Sequence, residues 1–368
     1  MKTLSPRPSV RTLPAYHPPL AGRNGLRFDF NENTAGCSPR VIERLRQLVP
    51  EDLARYPERG AVEANVAEFL GVTAPEVLLT NGVDEAIHLL CQTYLQPGDE
   101  AVIVVPTYSM YRIYMMAAGA QVIAVAVGED FRLSAKNLCE SITSKTRLIA
   151  IANPNNPTGT VAPQAELLQI ARSTPEAAVL VDEAYFEFYG HTMLTQRNDL
   201  PNLFVARTFS KAYGLAGLRA GILVGDPGQM LSVRLACSPY NVNAVALACL
   251  PTALADHAFI QEYVCEVRDS RAKLEIALTA NGVQFWPSQA NFVLMRVGAT
   301  AGDSAAFVER MRRRGILIRD RSSDPACLGC VRITLGPREH ANRLLAALQE
   351  TFDELGIAPR QNLGASRP

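Results

Sequence analysis

The sequence predicts an α/β protein: a large domain on a mostly parallel, doubly wound sheet, followed by a smaller α+β domain. Three observations carry this. Short apolar runs alternate with segments of helical periodicity through the first two thirds of the chain, the pattern that buries a parallel sheet between two layers of helices. From about residue 255 the order changes to one long helix and then strands and helices mixed. The residues with distinctive chemistry stand directly after the apolar runs, where open α/β sheets bind their ligands. The expected organisation is an N-terminal arm over 1–28, a large domain over 29–254 and a small domain over 255–368.

In "CSPRVIERLRQLV", Ser38 has the capping position, Pro39 the first helical position, and Val41, Ile42, Leu45, Leu48 and Val49 make one stripe, so a helix is expected. The runs "EVLLT", "EAVIVV", "QVIAVAV", "RLIAIA", "AVLVDE", "LFVART" and "AGILVG" read as buried strands. The second domain opens with the helix "HAFIQEYVCEVRDSRAKLEIALTANG". It continues through "NFVLMRV", the basic helix "AAFVERMRRRG" and the strand pair "GILIRD" and "VRITLG", and closes on the helix "HANRLLAALQETFDEL". The run Arg312, Arg313, Arg314 reads as a solvated helix end.

Composition excludes several functions. In 368 residues, 36 basic side chains balance 36 acidic ones, so no global field draws the chain to nucleic acid or an anionic membrane. The N-terminus has no continuous apolar core, and no run approaches the roughly 20 apolar residues of a membrane span. A cytoplasmic protein working on small molecules is expected. The eight cysteines sit mostly alone in apolar contexts, as reduced thiols do. Cys327 and Cys330 in "ACLGC" have redox or zinc-knuckle spacing, but they run into a strand and lack a second pair, so a turn before a strand is the reading adopted. The five histidines show no ligand spacing, and no metal is expected.

After "VLLT" comes "NGVDEAIHLL", a turn into a helix whose first amides, from Gly82, Val83 and Asp84, face an anion. "VIVV" is followed by "PTYSMY" with Tyr108, "IAIA" by "NPNNPTG" with Asn156, and "AVLV" by "DEAYFEF" with Asp182 and Tyr185. "FVAR" leads into "TFSKAYGLAGLRAG", which sets Lys211 beside Thr208 and Ser210 and ahead of Arg219. One cofactor would use all of these. Its phosphate would take the helix amides, Thr208, Ser210 and Arg219; its flat ring Tyr108; its ring nitrogen Asp182; its ring hydroxyl Asn156 and Tyr185; its aldehyde Lys211. Pyridoxal 5′-phosphate fits that description. Alone, Asp182 reads as a helix cap, Tyr108 as core and "GLAGLRAG" as a tight loop. Together they fall in order at successive strand ends, which separate ordinary explanations do not account for.

The blocks "NPNNPTG", "DEAYFEF" and "RTFSKAYGLAGLRAG" resemble the signatures of fold-type I pyridoxal-phosphate aminotransferases of class I/II. The resemblance continues through "NEN", "RYPE", "NGVDEAIHLL", "PTYSMY", "SPYNVN", "ANFVL" and "GILIRDRSS…GCVRITLGPREHANRLLAAL". The last blocks are most similar to the histidinol-phosphate aminotransferases, which exchange an amino group between L-histidinol phosphate and 2-oxoglutarate in histidine biosynthesis. By that resemblance Lys211 is the Schiff-base lysine and proton shuttle, Asp182 pairs with the pyridinium, Asn156 and Tyr185 reach the 3′ oxygen, and Tyr108 stacks on the ring. The amides of Val83 and Asp84, with Thr208, Ser210 and Arg219, hold the phosphate. Tyr56, in "RYPE", reaches the phosphate of the partner subunit, implying a homodimer. Arg332 takes the carboxylate of glutamate or the phosphate of the other substrate, helped by Arg319 and by Tyr16 from the arm.

Two departures bear on the substrate. "NENTAG" puts Thr34 and Ala35 where relatives commonly have a proline and a bulkier residue, and the arm reads "LPAYHPPLAG" where a tighter tyrosine, proline and glycine pattern is usual. A differently shaped pocket, with aromatic amino acids as donors, is therefore an alternative. A threonine-phosphate decarboxylase would share the cofactor residues. A cofactor-sensing regulator would carry a DNA-binding domain ahead of this region, and fewer than thirty residues precede "FDFNEN".

Overall fold

The computed structural model describes residues 4–15 and 24–357. Among the described residues twelve strands form two sheets: β1 (Leu26–Phe28), β2 (Val77–Asn81), β3 (Glu100–Val105), β4 (Gln121–Ala126), β5 (Thr146–Ala152), β6 (Ala178–Asp182), β7 (Leu203–Thr208), β8 (Ala220–Val224), β9 (Gln284–Trp286), β10 (Phe292–Arg296), β11 (Ile316–Asp320) and β12 (Cys330–Thr334). The larger sheet has the order β2-β8-β7-β6-β5-β3-β4. Neighbours from β7 to β4 run parallel, while β8 runs antiparallel to both β2 and β7.

Alternation along these strands divides the apolar side chains between two faces. Leu79, Val179, Val181 and Val205 enter one core, and Leu78, Leu180, Phe204 and Ala206 the other. The second core is closed by the helices Gly82–Tyr94, Ser109–Ala118 and Pro227–Ala236, through Ile87, Leu90, Tyr111, Met115, Met230 and Val233. Helices Gly60–Leu70, Gln164–Ser173 and Ala244–Ala255 cover the first. Burial on both faces is what the doubly wound reading requires.

The five-stranded sheet has the order β1-β11-β12-β10-β9, antiparallel except for the parallel pair β1 and β11. Helices His257–Ala280, Ala301–Arg313 and Arg338–Leu355 accompany it, burying Leu274, Phe307, Met311, Leu344 and Phe352. The basic helix end is paired as well as solvated: Arg314 reaches Glu350 and Glu354, and Arg313 reaches Glu309.

Two local expectations are corrected. The helix after Ser38 is Pro39–Arg46; of its expected stripe only Val41 is fully buried, while Leu48 and Val49 lie beyond its end and Ile42 and Val49 are exposed. The run "QVIAVAV" forms an edge strand, β4, with half-exposed side chains. The expected turn before a strand forms in "ACLGC": the Cys330 amide donates to the Cys327 carbonyl at 2.9 Å, closing a turn with Gly329 at φ 71°, and β12 starts at Cys330. Both thiols are free and buried. No single helix among the described residues is long and apolar enough to cross a membrane.

Candidate active site

A cavity of about 610 Å³ opens at the carboxyl ends of the larger sheet's parallel strands and is roofed by the smaller sheet. Of the fourteen residues singled out from the sequence, twelve line it: Val83, Asp84, Tyr108, Asn156, Asp182, Tyr185, Thr208, Ser210, Lys211, Arg219, Arg319 and Arg332. Tyr56 is 77% exposed and stacks on Tyr240, ring centres 4.4 Å apart, away from this cavity. Tyr16 lies outside the described residues.

Lys211 follows β7 and donates from Nζ to the Phe30 carbonyl at 3.1 Å. Burial, reinforced by the positive charge of Arg332, lowers its pKa to about 8, so about a tenth of the amine is unprotonated at pH 7, far more than for an ordinary lysine. Asp182, the last residue of β6, is 5% exposed. It accepts from the Tyr111 hydroxyl at 2.6 Å and from the Ala184 amide at 3.0 Å. Burial pushes its carboxyl up to about 6 against the pull of those bonds.

At the other wall, the helix Gly82–Tyr94 starts without transition from β2, so its first-turn amides have no intrahelical acceptors. Gly82 takes φ 76°, and a Cβ there would stand 2.4 Å from Arg219 Nη2. The guanidinium occupies the space a side chain would fill. Arg219 is itself left-handed, φ 55°, at the end of a short 3₁₀ turn, and pairs with Asp84 at 3.0 Å. Asp84 also accepts from the Tyr108 hydroxyl at 2.8 Å. Thr208 donates to Ser210 Oγ at 2.9 Å and accepts from the Ser210 amide at 3.1 Å, so the two hydroxyls form one shelf.

Arg332 on β12 stands in register with Arg319 on β11. It donates to Asn156 Oδ1 at 2.6 Å and to the Asp29 carbonyl at 2.7 Å, and burial with the charge of Arg321 lowers its pKa to about 9. With Oδ1 taken, the Asn156 amide nitrogen is the group free to donate. Tyr185 accepts from Asn31 Nδ2 at 2.9 Å, and burial raises its phenol.

The sequence reading missed Tyr111, Asn31 and Arg321. Tyr111 carried a signal, since it lies three residues after Tyr108, on the same helical face. Asn31 stood in the quoted "NEN" and binds both Tyr185 and Thr334. The departure at "NENTAG" acts elsewhere: Thr34 bonds His340 Nδ1 at 2.9 Å, and neither Thr34 nor Ala35 is among the residues lining the cavity.

A mostly parallel sheet with a lysine, a buried carboxylate and an anion cradle at its strand ends defines an aminotransferase-type site. The chain belongs to the class I and II aminotransferases, whose family model matches residues 23–348. It is 34% identical over 336 residues to histidinol-phosphate aminotransferase 1 of Bacillus cereus (strain ATCC 10987), covering 89% of each chain. To the histidinol-phosphate aminotransferase of Geobacillus sp. (strain WCH70) it is 33% identical over 365 residues, 94% of this chain and 97% of the other. Among solved structures it is similar to histidinol-phosphate aminotransferase from Sinorhizobium meliloti in complex with pyridoxal-5′-phosphate, with a TM-score of 0.86, 27% identity, and coverage of 95% and 97%. An aspartate aminotransferase double mutant of Thermus thermophilus, 24% identical with a TM-score of 0.80, shares the fold.

Proposed function

We propose that the protein is a pyridoxal-phosphate-dependent histidinol-phosphate aminotransferase, converting L-histidinol phosphate and 2-oxoglutarate to imidazole-acetol phosphate and L-glutamate. The observation that carries this is the pair Arg319 and Arg332, in one cavity with Lys211 and presenting buried, unpartnered N–H groups at Arg319 Nη1 and Arg332 Nε among the described residues. Both substrates end in an anion that a guanidinium fork meets with two hydrogen bonds. The names of the relatives agree with it.

The chain's residues suit the cofactor. The Gly82 cradle, the Thr208 and Ser210 shelf and Arg219 suit a phosphate, and the buried Asp182 suits a protonated ring nitrogen. When bound, pyridoxal phosphate supplies an aldehyde and an electron-accepting ring. Lys211 Nζ would provide the amine and, when free, could move a proton between the two carbons that flank the substrate nitrogen. Asp182 would hold its negative charge for a protonated ring nitrogen, with Tyr111 orienting the carboxylate. Tyr185 and the Asn156 amide offer hydrogen bonds from the side, and Tyr108 provides a flat face held by Asp84.

A homodimer is part of this reading. Ile42, Val49, Leu53, Tyr56, Leu231, Leu235 and Tyr240 are large apolar side chains left exposed on one protomer, which supports a subunit contact that brings Tyr56 to the partner's phosphate. Sedimentation should give twice the mass of the chain, and a monomer at working concentration overturns this point.

The assignment is tested by measuring glutamate formation from 2-oxoglutarate with one amino donor at a time. L-Histidinol phosphate should give the highest kcat/KM. Phenylalanine or tyrosine ahead of it moves the protein to the aromatic aminotransferases, and carbon dioxide without glutamate marks a decarboxylase.

A further inference from the structure

Residues two apart on a strand project to the same side. Arg319 lies in β11, and Arg321 just past its end, where its amide continues the ladder by donating to the Cys330 carbonyl at 3.0 Å. Arg332 is the registered partner of Arg319 on β12. Three guanidinium groups therefore share one face of the smaller sheet, and all three line the cavity. The charges of Arg321 and Arg319 both contribute to lowering the pKa of Arg332.

Their surroundings do not balance them. Asp29 and Glu32, also on the cavity wall, are held by Arg27 at 2.8 and 3.1 Å. Among the described residues, the one ion pair made by the three arginines joins Arg321 to Asp324. Arg319 and Arg332 make no ion pair among the described residues. Each arginine also has a buried nitrogen with no hydrogen-bond partner among the described residues: Arg319 Nη1, Arg321 Nε and Arg332 Nε. Buried donors left in this state are costly, and a ligand anion that satisfies them recovers the loss.

We propose that Arg321 is a third anion-binding arginine of the substrate pocket, selective for a dianionic phosphate end, and that Asp324 holds it until that anion enters. A phosphate has oxygens enough to meet all three guanidinium groups; a single carboxylate, held by the fork of Arg332, leaves the donors of Arg319 and Arg321 unsatisfied. Asp324 is not stranded when Arg321 turns away, because Arg319 and Arg332 also act on it. The proposal rests on the aminotransferase reading for the identity of the substrate, and on the geometry alone for the preference for phosphate.

The test uses the cofactor-loaded enzyme and Arg321→Gln, which keeps a shorter hydrogen-bonding side chain but removes the charge. The ratio of kcat/KM for L-histidinol phosphate to that for glutamate should fall about ten- to a hundredfold, mainly through KM. Inorganic phosphate, as an inhibitor competing with glutamate, should lose affinity by about tenfold or more. Asp324→Asn should move phosphate inhibition the other way, towards tighter binding, a direction that structural damage does not produce. Equal losses on both substrates with a lower Tm would make Arg321 a structural bridge and overturn the proposal, as would unchanged phosphate inhibition in Arg321→Gln. If the wild-type enzyme ignores histidinol phosphate while Arg321→Gln still loses phosphate inhibition, the substrate assignment fails and the role of Arg321 stands.

Discussion

The two ends of the cavity are built differently. Where the cofactor is proposed to sit, each charge has its partner inside the protein: Arg219 has Asp84, Asp182 has Tyr111 and the Ala184 amide, and Thr208 has Ser210. At the substrate end, Arg319, Arg321 and Arg332 keep buried N–H groups without partners among the described residues. The first arrangement is stable by itself and holds a fixed geometry for a resident group. The second is completed by a molecule that comes and goes, so its cost is recovered only on binding, and binding there becomes selective for charge. Mutations at the first end should therefore act on the chemistry, and mutations at the second on which substrate is chosen.

The largest expected effect is at Lys211. Lys211→Ala should leave a folded protein with no turnover, and borohydride reduction of the loaded wild type followed by peptide mapping should find the added mass on Lys211. Normal transamination by the variant would remove the lysine from its role. Because the amine titrates at about 8, capture of cofactor by the cofactor-free protein should speed up as pH rises towards 8 and level off above it. A rate that rises steadily to pH 10 would mean that burial does not depress this amine.

Asp182→Asn should come next, with single-turnover rates falling roughly a hundredfold or more while cofactor is still retained by the phosphate cradle. Unchanged rates would show that the carboxylate is only a cap for the turn that follows β6. At the substrate end, Arg332→Ala should weaken both glutamate and histidinol phosphate, by about 1.5 to 3 kcal/mol for one charge-assisted hydrogen bond. Arg319→Ala should weaken histidinol phosphate more than glutamate, and steady-state kinetics with both substrates separates the two. Equal small losses throughout would put these arginines outside the pocket's work.

The smallest effect is expected from Tyr111→Phe. The hydroxyl helps hold Asp182 in its charged form, so its loss should push that carboxyl further up and move the acid limb of the kcat/KM profile to higher pH. A net hydrogen bond is worth about 1 kcal/mol, so the loss at neutral pH should be severalfold. A profile shifted towards acid would contradict the arrangement.

The difference between the two ends also governs how far the sequence could be read. Lys211 and Asn156 follow, and Asp182 ends, strands whose apolar runs are unmistakable, and a strand end is a position that order along the chain reveals. Arg321 follows a strand too, but its meaning depends on Arg332 across the ladder and on Asp324 in the next turn, which no spacing encodes. Strand direction was equally hidden: "AGILVG" is as apolar as its parallel neighbours, and only the short connection from β7 forces β8 to run back. Exposure of Ile42 and Val49 was missed because helical periodicity reports an apolar stripe without saying whether the chain's own core or another surface covers it. The pairing of β1 with β11 joins residues far apart in sequence, and a three-residue strand carries too little pattern to announce it.

That reversal of β8 bears on how the protein folds. Thr208 and Gly221 are the paired residues closest in sequence within the larger sheet, and the loop between them carries both Lys211 and Arg219. The Phe209 amide bonds the Ala220 carbonyl at 3.1 Å and the Leu215 amide bonds the Phe209 carbonyl at 3.0 Å, drawing the loop into a unit of its own. Local pairings close at lower entropic cost than crossovers through a helix. The hairpin of β7 and β8 should therefore gain amide protection early in pulse-labelled refolding, before β2 docks on β8 from more than a hundred residues earlier in the chain. The nascent enzyme would then hold the spacing between its covalent and ionic anchors before the sheet around them is complete.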